Sequence, residues 1–291
     1  RLYVTRGTHV MVLDADKGSV VGDIPDTEGV HGVAIASDLG RGFTSNGRSS
    51  TVTIFDLKTL KPVGRVKSTG ENPDAILYDS SSHRVFAFNG RTSNATAIDA
   101  KTGEVAGTIA LAGKPEFAAN DGQGRVFVNI EDKSSLAVID AQKLVVEKTW
   151  PLAPCEEPSG MAIDRAHQRL FIGCHNKLMA VVDTASGKIV ATVPIGEGVD
   201  ANGFDADLGF AFASCGDGTL TVARSDGADK YSVAQTVSTQ RGARTMTVDD
   251  KTHTIFLVTA QFGPPPSPTA DNPRPRPSIL PGSFTVLVVS R

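Results

Sequence analysis

A single phrase recurs seven times along this chain, and it limits what the chain can fold into. Each copy carries an aromatic residue in a short β-prone run. In five copies the aromatic follows an arginine by two places: Arg1 and Tyr3, Arg41 and Phe43, Arg84 and Phe86, Arg125 and Phe127, Arg169 and Phe171. The last two copies carry Phe210 with Phe212 and Thr254 with Phe256. The aromatics lie 40, 43, 41, 44, 41 and 44 residues apart. A period of that length is the signature of a repeat architecture, in which one supersecondary unit buries its faces against its neighbours.

Each copy is followed by a second strand of alternating apolar residues, which in five copies ends on an acid. These run to Asp14, Asp56, Asp99, Asp140 and Asp183; the sixth ends on Arg224 and the seventh on Val288. A third strand follows, such as 105–109 or 189–193, then a Gly- and Pro-rich loop and a fourth strand, such as 74–78 or 159–163. Four short strands per period of about 42 residues describe one propeller blade. The expected fold is therefore all-β: a seven-bladed β-propeller of four-stranded antiparallel blades, one domain over residues 1–291. Residues 262–283 are expected to form a Pro-rich loop insertion in the last blade. A pair of sandwiches would house as many strands but would not explain seven matching periods.

With strands lettered A to D from the axis outwards, the sequence supplies six A, seven B, seven C and six D, 26 in all. It opens on a B strand and stops after a C strand. The expectation is that a preceding segment of roughly twenty residues supplies the remaining D and A strands and completes the last blade. The first residue is Arg1 and lies inside a strand-like run, so a removed leader such as a signal peptide is compatible with it.

The run of aromatic-Val-Thr-Asn type after Arg-Leu (Arg1, Leu2, Tyr3, Val4, Thr5), followed by Val-x-Val-Ile-Asp-x-x-Thr-Gly, resembles the YVTN-repeat family of β-propellers over essentially the whole chain. The resemblance implies a seven-bladed propeller that is secreted, periplasmic or associated with a surface layer. It implies no single activity.

Composition removes several other classes. Charges nearly balance at a net −3, so no broad nucleic-acid surface is expected. No run of about 18 apolar residues is present, so no transmembrane segment is expected. Helical periodicity is absent throughout, which argues against a bundle or an α/β enzyme.

The acid closing five of the C strands precedes a short turn, often with Gly (Asp14 and Gly18, Asp99 and Gly103, Asp183 and Gly187), and is read as turn chemistry. Antiparallel pairing of B with C sets Arg41 beside Asp56, Arg84 beside Asp99, Arg125 beside Asp140 and Arg169 beside Asp183, so four ion pairs are expected.

Function is expected where the repeats stop agreeing. The D–A and B–C loops share one face, and one polar residue per repeat precedes each A strand there: His31, Asp74, Glu116 beside Pro115, Ser159, Asp200 and Arg244. These are the candidate ligand-binding residues at the channel mouth. A secondary set, three places after each aromatic, contains Arg6, Asn46, Asn89, Cys174 and Cys215. Divergent loops on a uniform scaffold suit an asymmetric binding surface. The six histidines form no HxH or HExxH pattern, and His83, His167 and His253 fall in A–B turns on the other face. No catalytic residue, metal or cofactor is assigned. Of three cysteines, Cys155 and Cys174 can form a disulfide in an oxidising compartment; buried free thiols, or a metal cluster with His175 and Cys215, are the alternatives. The last B–C connection holds Pro264, Pro265, Pro266, Pro268, Pro273, Pro275, Pro277 and Pro281, with Arg274 and Arg276, and is expected to be extended and to cover the mouth or dock a partner.

The sequence thus suggests an exported binding or scaffold module recognising an unknown protein or small-molecule ligand. By analogy of fold, the alternatives are an enzyme at the same mouth (a lactonase-like hydrolase or a quinoprotein-dehydrogenase-like propeller subunit) and a purely structural envelope protein.

Overall fold

Short runs such as 41–46 and 84–89, buried at five consecutive positions as strands covered on both faces are, make the chain a succession of short antiparallel strands. The computed structural model describes residues 1–269, 275 and 277–290. Among these are 26 strands in seven sheets and no α-helix; the two short helical segments are single 3₁₀ turns. The architecture is the seven-bladed β-propeller, and the strand count equals that read from the repeats.

Two compact units divide the chain, Arg1–Pro158 and Ser159–Arg291. The first holds four sheets. Strands β1 (Leu2–Thr5), β2 (Val10–Leu13) and β3 (Val20–Ile24) form one; β4 (Val30–Ala36), β5 (Arg41–Asn46), β6 (Thr51–Asp56) and β7 (Pro62–Lys67) form the next. Then come β8 (Pro73–Asp79), β9 (Arg84–Asn89), β10 (Asn94–Asp99) and β11 (Val105–Ala110), and β12 (Pro115–Asn120), β13 (Arg125–Ile130), β14 (Ser135–Asp140) and β15 (Val145–Pro151). The second unit holds β16 (Pro158–Asp164), β17 (Arg169–Cys174), β18 (Leu178–Asp183) and β19 (Ile189–Pro194); β20 (Val199–Asp205), β21 (Phe210–Cys215), β22 (Thr219–Gly227) and β23 (Lys230–Ser238); and β24 (Thr245–Asp249), β25 (Thr254–Thr259) and β26 (Thr285–Val289). Five sheets have four strands. The first lacks the inner A strand and the last lacks the outer D strand, as the strand count requires.

The repeat aromatic earns its period by filling the space between sheets. Phe43 and Ile54 pack with Val85, Ala87 and Ile98 of the following blade, and Phe86 and Phe88 with Val126, Val128 and Ile139. In the second unit Phe171 and Val181 meet Ala211, Ala213 and Ala223, and Phe212 and Leu220 meet Ile255 and Leu257. Each fully buried Phe contributes about 1.5–3 kcal/mol relative to exposure. Space is tight enough to fix a glycine: a Cβ on Gly42 would lie 2.0 Å from the ring of Phe55. A register shift recurs in the C–D pairing of six sheets, as between Ile54 and Phe55 or Ala97 and Ile98, and such bulges deepen strand twist.

The C–D turns follow the expected chemistry. Asp56 Oδ1 accepts the amides of Lys58 and Thr59 at 3.1 and 2.7 Å, and Asp99 Oδ1 those of Lys101 and Thr102 at 2.9 and 2.8 Å. The arginine partners differ from expectation. Arg41 does stand opposite Asp56, and Arg84 opposite Asp99. Their guanidinium groups instead reach the turn of the next blade. Arg41 donates to the carbonyls of Ala100 and Lys101 at 3.0 and 2.6 Å, Arg84 to those of Ala141 and Gln142, and Arg1 to that of Leu57 at 2.5 Å. Because each acid folds its turn around the amides, the turn carbonyls point outwards and meet the arginine. Arg125 pairs with Asp121 at 2.7 Å. Arg169 does pair with Asp183 at 2.7 Å, and also with Asp229 in the long hairpin that replaces the usual C–D turn.

Candidate ligand-binding face

One backbone device positions the candidate residues. Val30, Pro73, Pro115 and Val199 each pair with the last residue of the neighbouring B strand, and the register then shifts within the next three residues. A bulge re-aims the side chain that follows it. Those following side chains are His31, Asp74, Glu116 and Asp200. Glu116, not Pro115, therefore stands at the repeat-equivalent place.

In the first unit three of these residues, from three successive blades, form a linked series of ionisable side chains. His31 Nδ1 lies 2.7 Å from Asp74 Oδ1, with both side chains partly exposed. The Asp74 carboxylate acts in turn on Glu116, whose pKa is pushed up first by burial and then by Asp74 and Glu131, while Lys114 opposes the shift. Lys114 Nζ lies 2.5 Å from Glu116 and also contacts Glu131. Burial works against the Lys114 charge, but its two carboxylate partners outweigh burial and raise its pKa.

In the second unit Asp200 and Arg244, again from successive blades, lie 3.7 Å apart, and Thr245 Oγ1 donates to Asp200 at 2.8 Å. Ser159 is buried within β16. Paired ionisable side chains at equivalent places of adjacent repeats thus occur in each unit.

The secondary set sits deeper. Asn46 is fully buried; its amide donates to Thr51 and Thr53, and its carbonyl accepts from Thr44. Asn89 is held likewise by Ser68, Asn94 and Thr96. Arg6 lies just beyond β1, and its amide donates to the His9 carbonyl. Cys215 is a free thiol, buried, with its pKa pushed up to about 11 by burial and by Asp217. Cys155 and Cys174 are both disulfide-bonded.

Two residues escaped the sequence reading. Ser45 Oγ accepts from Gly32 N–H at 2.9 Å and donates to the carbonyl of Asp74. Ser214, the equivalent residue, donates to the carbonyl of Arg244. Each fixes the backbone of a candidate residue in the next blade. The only signal in the sequence was a serine one place before the B-strand end in two repeats.

An open polar cleft of about 860 Å³ lies among the loops of the first unit, and His31, Arg48, Lys67, Glu71 and Arg91 are among its walls. On the other face His83 and His253 occupy left-handed turn positions, and His253 and His167 bond Asp205 and Asp164 at 2.8 and 2.7 Å. Among the described residues no group of three His, Cys, Asp or Glu side chains is placed to hold a metal ion. No described helix is long and apolar enough to cross a membrane.

The Pro-rich insertion leaves β25 through a short stem. Phe262 bridges Ile279, Gly263 N–H donates to Ser278 at 2.8 Å and Leu280 N–H to Gln261 at 2.8 Å. Pro264, Pro265, Pro266 and Pro268 beyond it are exposed. Pro273, Arg274 and Arg276 lie outside the described residues.

No family model matches the chain, and no curated protein matches it. Solved structures do. A chain of a mitotic checkpoint complex superposes with a TM-score of 0.77 at 15% identity, covering 88% of this chain and 79% of that one. A chain of the hydrazine synthase of Kuenenia stuttgartiensis gives 0.75 at 13%, covering 86% of each. The dihydro-heme d1 dehydrogenase NirN, in complex with DHE, gives 0.66 at 17%, covering 86% of this chain and 56% of that one. At such identities the likeness establishes the propeller fold alone.

Proposed function

We propose that this chain is an exported β-propeller of the YVTN-repeat kind that serves as a binding or scaffold module. The D–A and B–C loops would carry recognition through His31, Asp74, Glu116, Ser159, Asp200 and Arg244, with the Pro-rich insertion as a second contact. One observation carries the reading. Equivalent positions in otherwise uniform repeats diverge into partly exposed, interacting ionisable groups, His31 with Asp74 and Asp200 with Arg244. Structural uniformity needs no such divergence, whereas an asymmetric partner does. The buried Asn46 and Asn89 would support this face from below. Half-cystines at Cys155 and Cys174, which we take to be joined to each other, fit an oxidising compartment.

The test is a thermal-shift screen of ligands and candidate partner domains against the parent protein and the His31→Ala/Asp74→Ala variant. A true ligand at 100 times its Kd raises stability by about 2.7 kcal/mol. The expected result is a shift in the parent that disappears in the variant. A ligand that stabilises both equally would place recognition elsewhere. The enzyme alternative has two of the structural neighbours on its side, both named for enzymes; it would be favoured by a turnover that the same variant abolishes.

A further inference from the structure

We infer that the cleft of the first unit is an anion site, taking a small ligand that carries carboxylate or phosphate groups, with Arg48 and Arg91 as its two forks. The inference rests on the binding-face reading above and deepens it by naming the ligand's chemistry.

The argument begins from repeat positions. Arg48 and Arg91 each stand two places after the asparagine that ends a B strand, in the same Asn-Gly-Arg run. The residues two places after the equivalent strand ends Ile130 and Cys215 are Asp132 and Asp217. There the acid serves the backbone: Asp132 Oδ1 accepts the amide of Lys114 at 2.7 Å, and Asp217 Oδ2 that of Glu197 at 2.7 Å. Only these two adjacent blades carry an arginine at that place, and it cannot accept a backbone amide. In the second of them Thr92 Oγ1 takes over that duty, accepting from Glu71 N–H at 3.0 Å. The guanidinium groups are thereby released into the cleft, where both form part of the wall.

Their commitments are slight. Arg48 makes no hydrogen bond or ion pair among the described residues. Arg91 lies 3.8 Å from Glu71, and both side chains are well exposed, 74% and 62%. Lys67, from the end of β7, adds a third cation to the wall and holds only the Ser49 carbonyl at 3.3 Å. Three cations face one carboxylate, so the cleft keeps a net positive charge inside a chain whose total is −3.

Shape supports the same assignment. Glycines line the cleft at places too close for a side chain: a Cβ on Gly70 would lie 2.2 Å from Asn94 Oδ1, and one on Gly47 would lie 2.7 Å from Asn72 Oδ1. The lining contains no aliphatic side chain larger than threonine, and its one ring is the imidazole of His31, which lies 2.7 Å from Asp74. That disfavours a greasy ligand and leaves charge and hydrogen bonding as the main means of recognition. Arginine forks match the planar oxygens of carboxylate and phosphate in a two-pronged way that lysine does not reproduce.

The experiment is an amide-resolved NMR titration of the whole chain with three probes: tripolyphosphate, trigalacturonate and neutral maltotriose. The two anionic arms separate a phosphate from a carboxylate source. The expected result is saturable perturbation of residues 47–50, 67–72 and 90–92 by one of the anions and none by maltotriose. Binding should weaken by about tenfold or more in Arg48→Ala/Arg91→Ala, less in Arg48→Lys/Arg91→Lys, and should fall with added salt. Both arginines are exposed, so the variants keep the parent fold. Failure of both anions to perturb these loops, equal binding of the neutral sugar, or unchanged affinity in the alanine variant would each overturn the anion assignment. None of these would touch the wider reading, which the His31/Asp74 ligand screen decides separately.

Discussion

The hydroxyl of Ser45 donates to the main-chain carbonyl of Asp74, one blade away, while accepting the amide of Gly32 in its own sheet. Ser214 also reaches two blades in the second unit, but with its hydroxyl directed as donor towards the carbonyls of Ala201 and Arg244. A buried hydroxyl with partners on two blades sets where the exposed acid or base of the next blade stands. Ser45→Ala should cost about 1–3 kcal/mol, because the Gly32 amide and the Asp74 carbonyl both lose a buried partner. Urea denaturation measures it. A loss below about 0.5 kcal/mol would show that the hydroxyl does not tie the blades together.

The arginine arms make a second blade-to-blade tie. Arg84 brings one guanidinium to two carbonyls of the next C–D turn. Removing it in Arg84→Ala should cost about 1.5–3 kcal/mol, the range for hydrogen bonds with one charged partner. The neutral carbonyl partners make the loss insensitive to salt, whereas an Arg–Asp ion pair would weaken as salt rises. Denaturation midpoints at low and at 1 M salt separate the two.

The asparagines at the B-strand ends offer a third measurement. Asn89 satisfies Ser68, Asn94 and Thr96 in a fully buried position. Asn89→Ala should destabilise by several kcal/mol, since three partners are orphaned together. If the variant were as stable as the parent, the network would be ornamental, and Asn89 would return to the set of ligand contacts.

The blades were legible in the sequence because burial between sheets imposes the same choice at the same place in every period, as at Phe43, Phe86 and Phe127. The arginine partners were not. Strand pairing reads only neighbours within one sheet, so Arg41 was matched with Asp56, which does stand opposite it. The true acceptors at Ala100 and Lys101 belong to the next sheet, and the stagger between sheets leaves no mark in the sequence. Counting along the strand likewise named Asn46 and Asn89 for the binding face, although their side chains turn into a buried threonine ladder. Glu116 was found only as a neighbour of Pro115, because a one-residue bulge is silent in the spacing. Arg48 and Arg91 were passed over for the same reason that now singles them out: they depart from their equivalents in charge, not in period.

Acid should unfold the protein through its turns. The carboxyls of Asp56 and Asp99 are held below the ordinary carboxylate range, first by the amides of Thr59 and Thr102 respectively. Asp140 is held down first by Lys143. A carboxyl whose pKa is lower folded than unfolded contributes stability above the unfolded value, and this is lost as pH falls through the folded one. These turns should therefore leave the melting temperature unchanged from neutral pH to about 5 and lower it below about pH 4. Glu116 works in the opposite sense. Its raised pKa makes the folded state bind the proton more readily, so in the window just above the unfolded glutamate value it subtracts stability as pH rises. In Glu116→Gln that shallow decline should vanish while the acid limb stays. A melting curve flat to pH 3 would contradict the turn carboxylates' part.

The cysteines provide the last test. Cys155 and Cys174 are both half-cystines, and Cys215 is a buried thiol with a raised pKa. Peptide mapping without reductant should recover a Cys155–Cys174 cross-linked peptide and an unmodified Cys215. In the folded protein Cys215 should resist alkylation at neutral pH, because the thiolate that reacts is disfavoured by burial and by Asp217. It should react at once in denaturant. Replacing the pair in Cys155→Ala/Cys174→Ala opens a loop of about 20 residues, and the chain-entropy estimate for such a loop is about 3 kcal/mol. The reduced parent should lose a similar amount. Recovery of a peptide joining Cys215 to either partner, or equal stability with and without reductant, would overturn the assignment and remove its support for an oxidising compartment.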